Sequence, residues 1–267
     1  MKPLLLVAAA VTLLASSAAA QAPEPPTPPV PAGATLEFVA NRGQWAAPVR
    51  YAAELPSGRL FIEADGLTLA LLADGGPGQH NHRGAANSRP PNDHQPLRGH
   101  ALRLRFAGAG PATIAPAART AEHRSYFRGK NPAHWAADVP GYRTLRYDGL
   151  WPGISARLYE SRGQQLEYDF VLAPGADAAA IGLRHEGAEA LALDETGSLV
   201  VKPSVGTVVA HAPQAWQADA DGQHRPVPCR YVLTDSTVRF TLGRYDHSRP
   251  LVIDPVVEFF LSLELFL

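Results

Sequence analysis

Residues 126–177 carry the clearest structural pattern in the chain, YFRGKNPAHWAADVPGYRTLRYDGLWPGISARLYESRGQQLEYDFVLAPGAD. Apolar and polar residues alternate along most of it, which is the period of a β-strand whose two faces meet different surroundings. Gly and Pro residues interrupt the alternation at short intervals, as tight turns between strands require. The stretch therefore predicts short antiparallel strands joined by hairpins.

The same pattern continues on both sides of this stretch. Turn signals at Pro56-Ser57-Gly58 and Asp65-Gly66 separate three alternating runs, which predicts a meander of hairpins. One helix-like turn is predicted at 177–181. The strands predicted outside 126–177 are 36–39, 49–55, 59–63, 67–72, 101–106, 191–193, 198–202, 206–211, 214–217, 230–233, 238–242 and 251–253.

Together these strands predict one all-β region over residues 35–258. Many short antiparallel strands with a turn about every 8–12 residues are typical of β-sandwiches. We expect a β-sandwich-like fold, built as one sandwich or as two packed lobes, 35–125 and 126–258. No fixed period repeats along the chain, so the sequence does not predict a propeller or a solenoid.

Both ends of the chain differ in composition from this region. Residues 1–20 combine an early lysine, an apolar run and an alanine-rich end, which is the pattern of a secretory signal peptide. The run is too short for a bilayer core of about 30 Å, so we expect no membrane span after cleavage. Residues 21–34 are rich in proline and predict an extended linker. Residues 259–267 form an apolar tail, interpreted as a sticky edge strand or a product of truncation.

Composition also limits the classes of function. Residues 73–99 are rich in Gly, Pro, Asn and His without apolar periodicity, which predicts an exposed, disordered loop. The 24 basic and 25 acidic residues are interspersed, so the chain lacks the basic surface that nucleic-acid binding needs. Cys229 is the only cysteine, which rules out an intrachain disulfide. We interpret it as a small core residue rather than a catalytic thiol.

The strongest pairing of acidic residues is Glu167 with Asp169. Their i, i+2 spacing on a strand places both carboxylates on one face. Glu160 can join them from the neighbouring strand. Such a group can supply the acid and base of glycoside hydrolysis or oxygen ligands for Ca²⁺. The other interpretation is a solvent-facing strand surface with Tyr168 and its apolar neighbours in the core, which is common in half-buried strands.

Aromatic residues are the second candidate for a binding site. Trp151, with other tryptophans and tyrosines, can form a sugar-stacking platform. The same residues are also the largest apolar contributors to a β-sheet core, and we favour that interpretation in a chain without disulfides. The aromatic residues considered are Trp45, Trp135, Trp151, Trp216, Tyr142, Tyr147 and Tyr159.

Other chemistry has less support. His80, His82, His94 and His100 lie in the Gly/Pro-rich segment, which lacks the rigid frame that a metal site needs, so we expect no metal site. Asp246 with its neighbouring histidine suggests a hydrolase triad, but the chain lacks a G-x-S-x-G turn. It also lacks G-x-G-x-x-G, P-loop and H-E-x-x-H motifs, so we expect no cofactor.

A family resemblance rests on several motifs in a fixed order. They are Phe38-Val-Ala-Asn-Arg-Gly-Gln44, Tyr126-Phe-Arg-Gly129, Val139-Pro-Gly-Tyr142, Tyr147-Asp-Gly-Leu-Trp-Pro-Gly-Ile154, Leu166-Glu-Tyr-Asp-Phe-Val171, Pro174-Gly-Ala-Asp177 and Leu251-Val-Ile-Asp-Pro255. In this order they resemble the uncharacterised all-β N-terminal domain that precedes SBBP-type β-propeller repeats in large secreted bacterial proteins. The resemblance covers about residues 36–255. The resemblance is interrupted after Ile154. Family members commonly have acidic residues there, whereas this chain has Ser155-Ala-Arg157.

The resemblance implies no reaction, so no catalytic residue is carried over. It implies an exported, extracellular or cell-surface location and a non-enzymatic role as an interaction or scaffold module ahead of propeller repeats. Its partner would be an unidentified protein or glycan at a surface. The alternative function is a carbohydrate-binding or glycoside-cleaving β-sandwich that uses Trp/Tyr stacking together with Glu167 and Asp169.

Overall fold

A computed structural model gives the structure of the chain. It describes residues 30, 33, 35–55, 58–72, 98–127, 129–132, 135–161, 166–219 and 221–260. The predicted signal peptide lies outside the described residues, as do nearly all of the linker and of the loop predicted at 73–99, and most of the apolar tail.

The described chain contains nineteen strands and one turn of 3₁₀ helix, Ala178–Ala180. Asp177 caps this turn, since its carboxylate accepts the N–H of Ala179 at 2.9 Å. The strands are β1 (Phe38–Ala40), β2 (Val49–Leu55), β3 (Gly58–Glu63), β4 (Gly66–Leu72), β5 (Gly99–Phe106), β6 (Thr113–Phe127), β7 (Trp135–Trp151), β8 (Ile154–Glu160), β9 (Leu166–Leu172), β10 (Leu183–Glu186), β11 (Ala190–Leu193), β12 (Leu199–Lys202), β13 (Thr207–Ala210), β14 (Gln214–Ala218), β15 (His224–Val227), β16 (Cys229–Thr234), β17 (Thr237–Leu242), β18 (Leu251–Asp254) and β19 (Val257–Phe260).

Fifteen strands form one large antiparallel sheet. Its order is β15-β14-β18-β9-β8-β7-β1-β2-β3-β4-β5-β10-β17-β16, and β6 pairs with β7 beside this path. The all-β, antiparallel part of our prediction is confirmed. The large sheet is not clearly a sandwich, because it curves into a nearly closed barrel that brings β16 near β14.

A second sheet of four strands, β11-β12-β13-β19, packs against the barrel. Leu199 and Val208 from this small sheet share one hydrophobic cluster with Leu67 and Leu166 of the barrel. The large sheet continues across the boundary that we placed between residues 125 and 126, and this boundary falls inside β6.

Local sequence explains most hairpins. The predicted meander is observed as β2-β3-β4, with the register that its two turns dictate. Trp151 pairs with Ile154 across a two-residue Pro-Gly turn, in which Gly153 has φ +71°. Glycine is needed there because other residues are strained at positive φ. β18 is different, since it lies between β9 and β14 and pairs with both at long range.

The sequence did not predict β6, which is rich in alanine and lacks alternation. The whole length of β6 pairs with β7. In β7, residues 135–140 pair with β6 and with no other described strand. The two strands therefore form a two-stranded ribbon beyond the edge of the barrel. Register shifts after Arg119 and Arg124 bend it, as β-bulges do.

Glu37 holds the base of this ribbon. Its carboxylate is buried, accepts the hydroxyl of Thr120 and pairs with Arg124, so it ties the start of the domain to β6. Gly141 of β7 lies directly against this side chain. A Cβ atom at Gly141 would overlap the Glu37 carboxylate and the carbon atoms that carry it.

We expect Gly141→Ala to lower the free energy of unfolding by about 1–3 kcal/mol, because the added methyl displaces Glu37 from both partners. Urea unfolding followed by tryptophan fluorescence measures this. Gly110→Ala is the control, since its Cβ would meet only the Gly149 carbonyl oxygen at 3.7 Å. Equal effects of the two substitutions would contradict the role given to Glu37.

Candidate functional site

The predicted carboxylate pair lies on β9, in the middle of the large sheet. Glu167 and Asp169 share one face of the strand, as predicted, while Tyr168 and Phe170 point into the core. The prediction of a solvent-facing surface is wrong for Asp169, which is only 2 % exposed. The sheet is covered on both faces at this strand.

Asp169 is held by two side chains of the neighbouring strand β8. Arg157, directly opposite Asp169 in the register, donates from Nη2 to Oδ2 at 3.0 Å and is 1 % exposed. Tyr159 donates its hydroxyl to Oδ1 at 2.9 Å. Both carboxylate oxygens therefore have charged or polar partners, which a buried carboxylate requires.

A second acid, Asp254 on β18, extends this group across the sheet. The β9–β18 register pairs Val252 with Val171 and Ile253 with Phe170, which brings Asp254 next to Asp169. The Oδ1 atom of Asp254 is buried without a hydrogen-bond partner among the described residues. We call Arg157, Tyr159, Asp169 and Asp254 the buried ionic row.

Burial sets the protonation of this row. It raises the pKa of Asp169 to about 6, although Arg157 and the Tyr159 hydroxyl oppose the rise. It raises the pKa of Asp254 to about 7, and repulsion from Asp169 and Glu167 adds to the effect. One positive charge thus faces two carboxyl groups, which favours a bound proton on the pair near neutral pH.

The arrangement does not offer a substrate the access that catalysis needs. Arg157 and Asp169 are both sealed from solvent, and they form an ion pair with each other. Among the residues that the structure describes, no group of three His, Cys, Asp or Glu side chains is placed to hold a metal ion. The chemistry of the row is therefore that of a buried ion pair beside a second acid, Asp254, whose pKa is raised.

Glu160 and Trp151 do not join the carboxylate pair. Glu160 alternates with Tyr159 on β8, so it lies on the other face of the strand, where its Oε2 accepts the N–H of Leu36. Our expectation that Glu160 joins Glu167 and Asp169 is therefore wrong. Trp151 is buried in the core, and its indole N–H donates to the carbonyl of Ala107 at 3.1 Å.

Sequence reasoning missed Arg157 and Asp254 and considered Tyr159 only as an aromatic stacking or core residue, not as a partner of Asp169. A signal was present for the two residues of β8, because they alternate with core residues as Glu167 and Asp169 do on β9. Pairing the two strands across the Gly-containing turn would have placed Arg157 opposite Asp169. Asp254 carried no local signal, since its neighbour in the sheet is about eighty residues away in sequence.

The other candidates from the sequence are separate from this row. His80, His82 and His94 lie outside the described residues, and His100 hydrogen-bonds to the Ser204 hydroxyl at 2.8 Å. Asp246 caps its own turn by accepting the N–H and hydroxyl of Ser248. The Cys229 thiol is half-buried, and burial raises its pKa to about 12, so it is not activated as a nucleophile.

A small apolar cavity lies between the barrel and the four-stranded sheet. Its volume is about 80 Å³, and leucine and valine side chains line most of it. His185 is at its wall, with Nε2 lacking a partner among the described residues, and burial lowers the pKa of this imidazole to about 4. An engineered cavity of about 150 Å³ holds benzene, so this one is a packing gap rather than a substrate pocket.

These observations define an all-β protein whose large sheet is a nearly closed barrel, with the Arg157–Asp169 ion pair buried in it. A sequence model of the family described as a domain of unknown function, DUF7948, matches residues 38–256. The match covers most of the chain, so the chain belongs to this family. No curated protein and no solved structure matches it. Within the described residues there is no helix with the length and apolar character of a membrane span.

We expect Asp169→Asn to lower the free energy of unfolding by about 3 kcal/mol, because it leaves the buried Arg157 charge without its full counter-charge. The double substitution Arg157→Met with Asp169→Leu should cost less, since it removes both charges. Denaturant unfolding measures all three proteins. Asp148→Asn, in the exposed pair with Arg146 (2.8 Å), is the control and should cost at most about 1 kcal/mol. An Asp169→Asn effect no larger than this control would refute the pairing.

Asp254 should make stability depend on pH. Its folded pKa of about 7 lies above the ordinary value of about 4, so the folded state holds the proton more tightly. The resulting stability is complete below about pH 4 and is lost as the pH rises through 7. Asp254→Asn should therefore be more stable than the parent at pH 8, by at most about 4 kcal/mol, and similar at pH 4.

Urea unfolding at pH 4, 6 and 8 measures this difference. Asp246→Asn is a control of opposite sign, because hydrogen bonds from Ser248 lower the pKa of Asp246 and its charged form is the stabilising one. That variant should lose stability at pH 8. A pH profile of Asp254→Asn that runs parallel to the parent would contradict the assignment.

Proposed function

We propose that the chain is an exported, non-enzymatic interaction module that acts at the cell surface or in the medium, and that β-propeller repeats normally follow it. The signal-peptide pattern in residues 1–20 supports export. The order of motifs from Phe38 to Pro255 supports the association with propeller repeats. In this role the barrel is the rigid support, and the β6–β7 ribbon makes the contact with the partner.

The end of the β6–β7 ribbon is the observation that carries this proposal. Phe127 is 66 % exposed and Trp135 is 43 % exposed, and their rings meet edge to face at 5.6 Å. The indole N–H of Trp135 donates to the carbonyl of Gly129 at 3.2 Å, which fixes the ring in place. Exposed, fixed aromatic rings are typical centres of protein interfaces.

The base of the ribbon is anchored, so these rings are held in a defined position. Val39, Ala136 and Val139 form a second hydrophobic cluster on the outside of the barrel, with Trp45 and Tyr126 packed against it. The rings of Trp45 and Tyr126 meet edge to face at 5.5 Å. A preorganised surface loses less entropy on binding, which favours its use as a contact site.

The carbohydrate hypothesis has less support at the residues that suggested it. A sugar-stacking site needs an exposed aromatic face beside accessible carboxylates, whereas Trp151 lies in the core and Asp169 is paired with Arg157. Glu167 keeps partial exposure but has no exposed tryptophan among its strand neighbours. We therefore keep the interaction module as the proposed function.

The experiment is a binding assay with the purified chain, residues 21–267, and intact cells of the producing organism. We expect saturable binding that falls at least about tenfold in Phe127→Ser/Trp135→Ser, because hot-spot aromatics contribute about 2 kcal/mol or more. The matched control is Leu193→Ser/Val232→Ser, which removes two exposed apolar side chains elsewhere. It should bind like the parent.

Two results would overturn the proposal. The first is equal binding by the Phe127→Ser/Trp135→Ser variant and the parent. The second is hydrolysis of a glycoside by the purified chain that Glu167→Gln abolishes. Matching unfolding midpoints for all variants show that a loss of binding is not a loss of fold.

A further inference from the structure

A cleft of about 430 Å³ opens at the rim of the barrel, where β1 ends and β2 begins. This volume falls in the range of small-molecule sites, about 300–1,000 Å³. Tyr142 pairs with the core residue Phe38, and Tyr51 packs against the main hydrophobic cluster, so the cleft lies at the mouth of the barrel. It is lined by Ala40, Asn41, Arg42, Arg50, Tyr51, Ala64, Ala112, Thr113, Ile114 and Tyr142.

The loop on one side of the cleft is built by two amide side chains. Asn41 donates from Nδ2 to three backbone carbonyls within residues 45–49, at 2.8–3.2 Å. Gln44 donates from Nε2 to the carbonyl of Ala40 at 2.7 Å and accepts the N–H of Arg42 at 2.6 Å. These bonds fix the backbone that carries Arg42, and they explain the Asn-x-Gly-Gln part of the first family motif.

A β-bulge directs the second arginine. Val49 pairs with Glu63 and Tyr51 pairs with the adjacent Ile62, so Arg50 is an extra residue in β2. A bulge changes the direction of side chains and often adjoins a binding site. Here it leaves Arg50 and Tyr51 lining the same cleft, which regular alternation would prevent.

The charges of the cleft are of one sign. Arg42 and Arg50 are both exposed, and none of the described lining residues is acidic. Neither guanidinium forms a hydrogen bond or an ion pair with another described residue. Two other arginines of the large sheet are engaged, since Arg105 pairs with Glu63 and Arg143 donates to a backbone carbonyl. Two free guanidinium groups on a fixed frame suit a carboxylate or a phosphate.

Two tyrosines form the apolar part of the cleft. The rings of Tyr51 and Tyr142 meet edge to face, with centroids 6.1 Å apart, and the small side chain of Ala40 leaves space beside them. Burial raises the pKa of Tyr51, so its hydroxyl stays protonated at neutral pH. Neither hydroxyl is hydrogen-bonded to a described residue. Aromatic faces with free hydroxyl groups suit a ring that carries hydroxyls of its own.

The geometry points to a binding site for an anionic sugar, a sugar ring that carries a carboxylate or a phosphate. Arg42 and Arg50 hold the anionic group, while Tyr51 and Tyr142 contact the ring and its hydroxyls. The site uses neither the carboxylates nor the tryptophans that first suggested carbohydrate binding. It also lies apart from Phe127 and Trp135, so it stands or falls independently of the proposed function.

Calorimetric titration of the chain, residues 21–267, with four probes tests the site: glucuronate, glucose 6-phosphate, glucose and inorganic phosphate. We expect one or both charged sugars to bind saturably and at least about tenfold more tightly than glucose or phosphate alone. Arg42→Gln/Arg50→Gln should weaken this binding by at least about tenfold, since hydrogen bonds between charged groups are stronger than those between neutral ones. Arg230→Gln, an exposed arginine on β16, is the control and should not change it.

The absence of saturable binding by both charged sugars would overturn the inference. So would equal affinity for the parent and for Arg42→Gln/Arg50→Gln at matched unfolding midpoints. Inorganic phosphate binding as tightly as the charged sugars would also overturn it, because the cleft would then select an anion without its ring. Three results together support the inference. Binding is lost in Arg42→Gln/Arg50→Gln, it is weakened by salt, and it is partly restored in Arg42→Lys/Arg50→Lys.

Discussion

The fold depends on one constraint, which is that the middle of the large sheet is buried on both faces. Strands β8, β9 and β18 place Leu158, Phe170 and Ile253 inside the barrel, while Arg157 and Asp169 lie on the opposite face and are also sealed from solvent. Polar groups in such a place must satisfy one another. The register of β8 and β9 is therefore specified twice, by apolar packing on one face and by the Arg157–Asp169 pair on the other.

Local patterns predicted most of the fold, and long-range pairing was the part they could not supply. The meander β2-β3-β4 and the hairpins β11-β12 and β16-β17 follow from alternation and turn residues that lie within about fifteen positions of each other. The closure of the sheet into a barrel depends on contacts such as β5 with β10, which no local signal encodes. The sequence therefore indicated an antiparallel all-β fold but not a barrel.

The candidate sites show the same division. Alternation correctly placed Glu167 and Asp169 on one face, but exposure depends on what covers that face, which alternation does not reveal. Arg157 was not considered as a partner in the sequence, and it is the counter-ion of Asp169. The rim cleft was missed because each of its residues, taken in the sequence alone, suggests a different local role. Asn41 and Gln44 resemble turn residues, and Arg50 acquires its direction only from a bulge.

The position of β18 has a consequence for how the chain acquires its structure. This strand is near the end of the described chain, yet it lies between β9 and β14 and supplies Asp254 to the buried ionic row. β1 likewise pairs with β7, which follows it by about a hundred residues. Contacts at such separations slow folding, because the entropy of closing long loops is lost before the contacts form. The barrel can therefore be completed only after Leu251–Asp254 has been synthesised, and until then β9 and β14 lack the strand that lies between them.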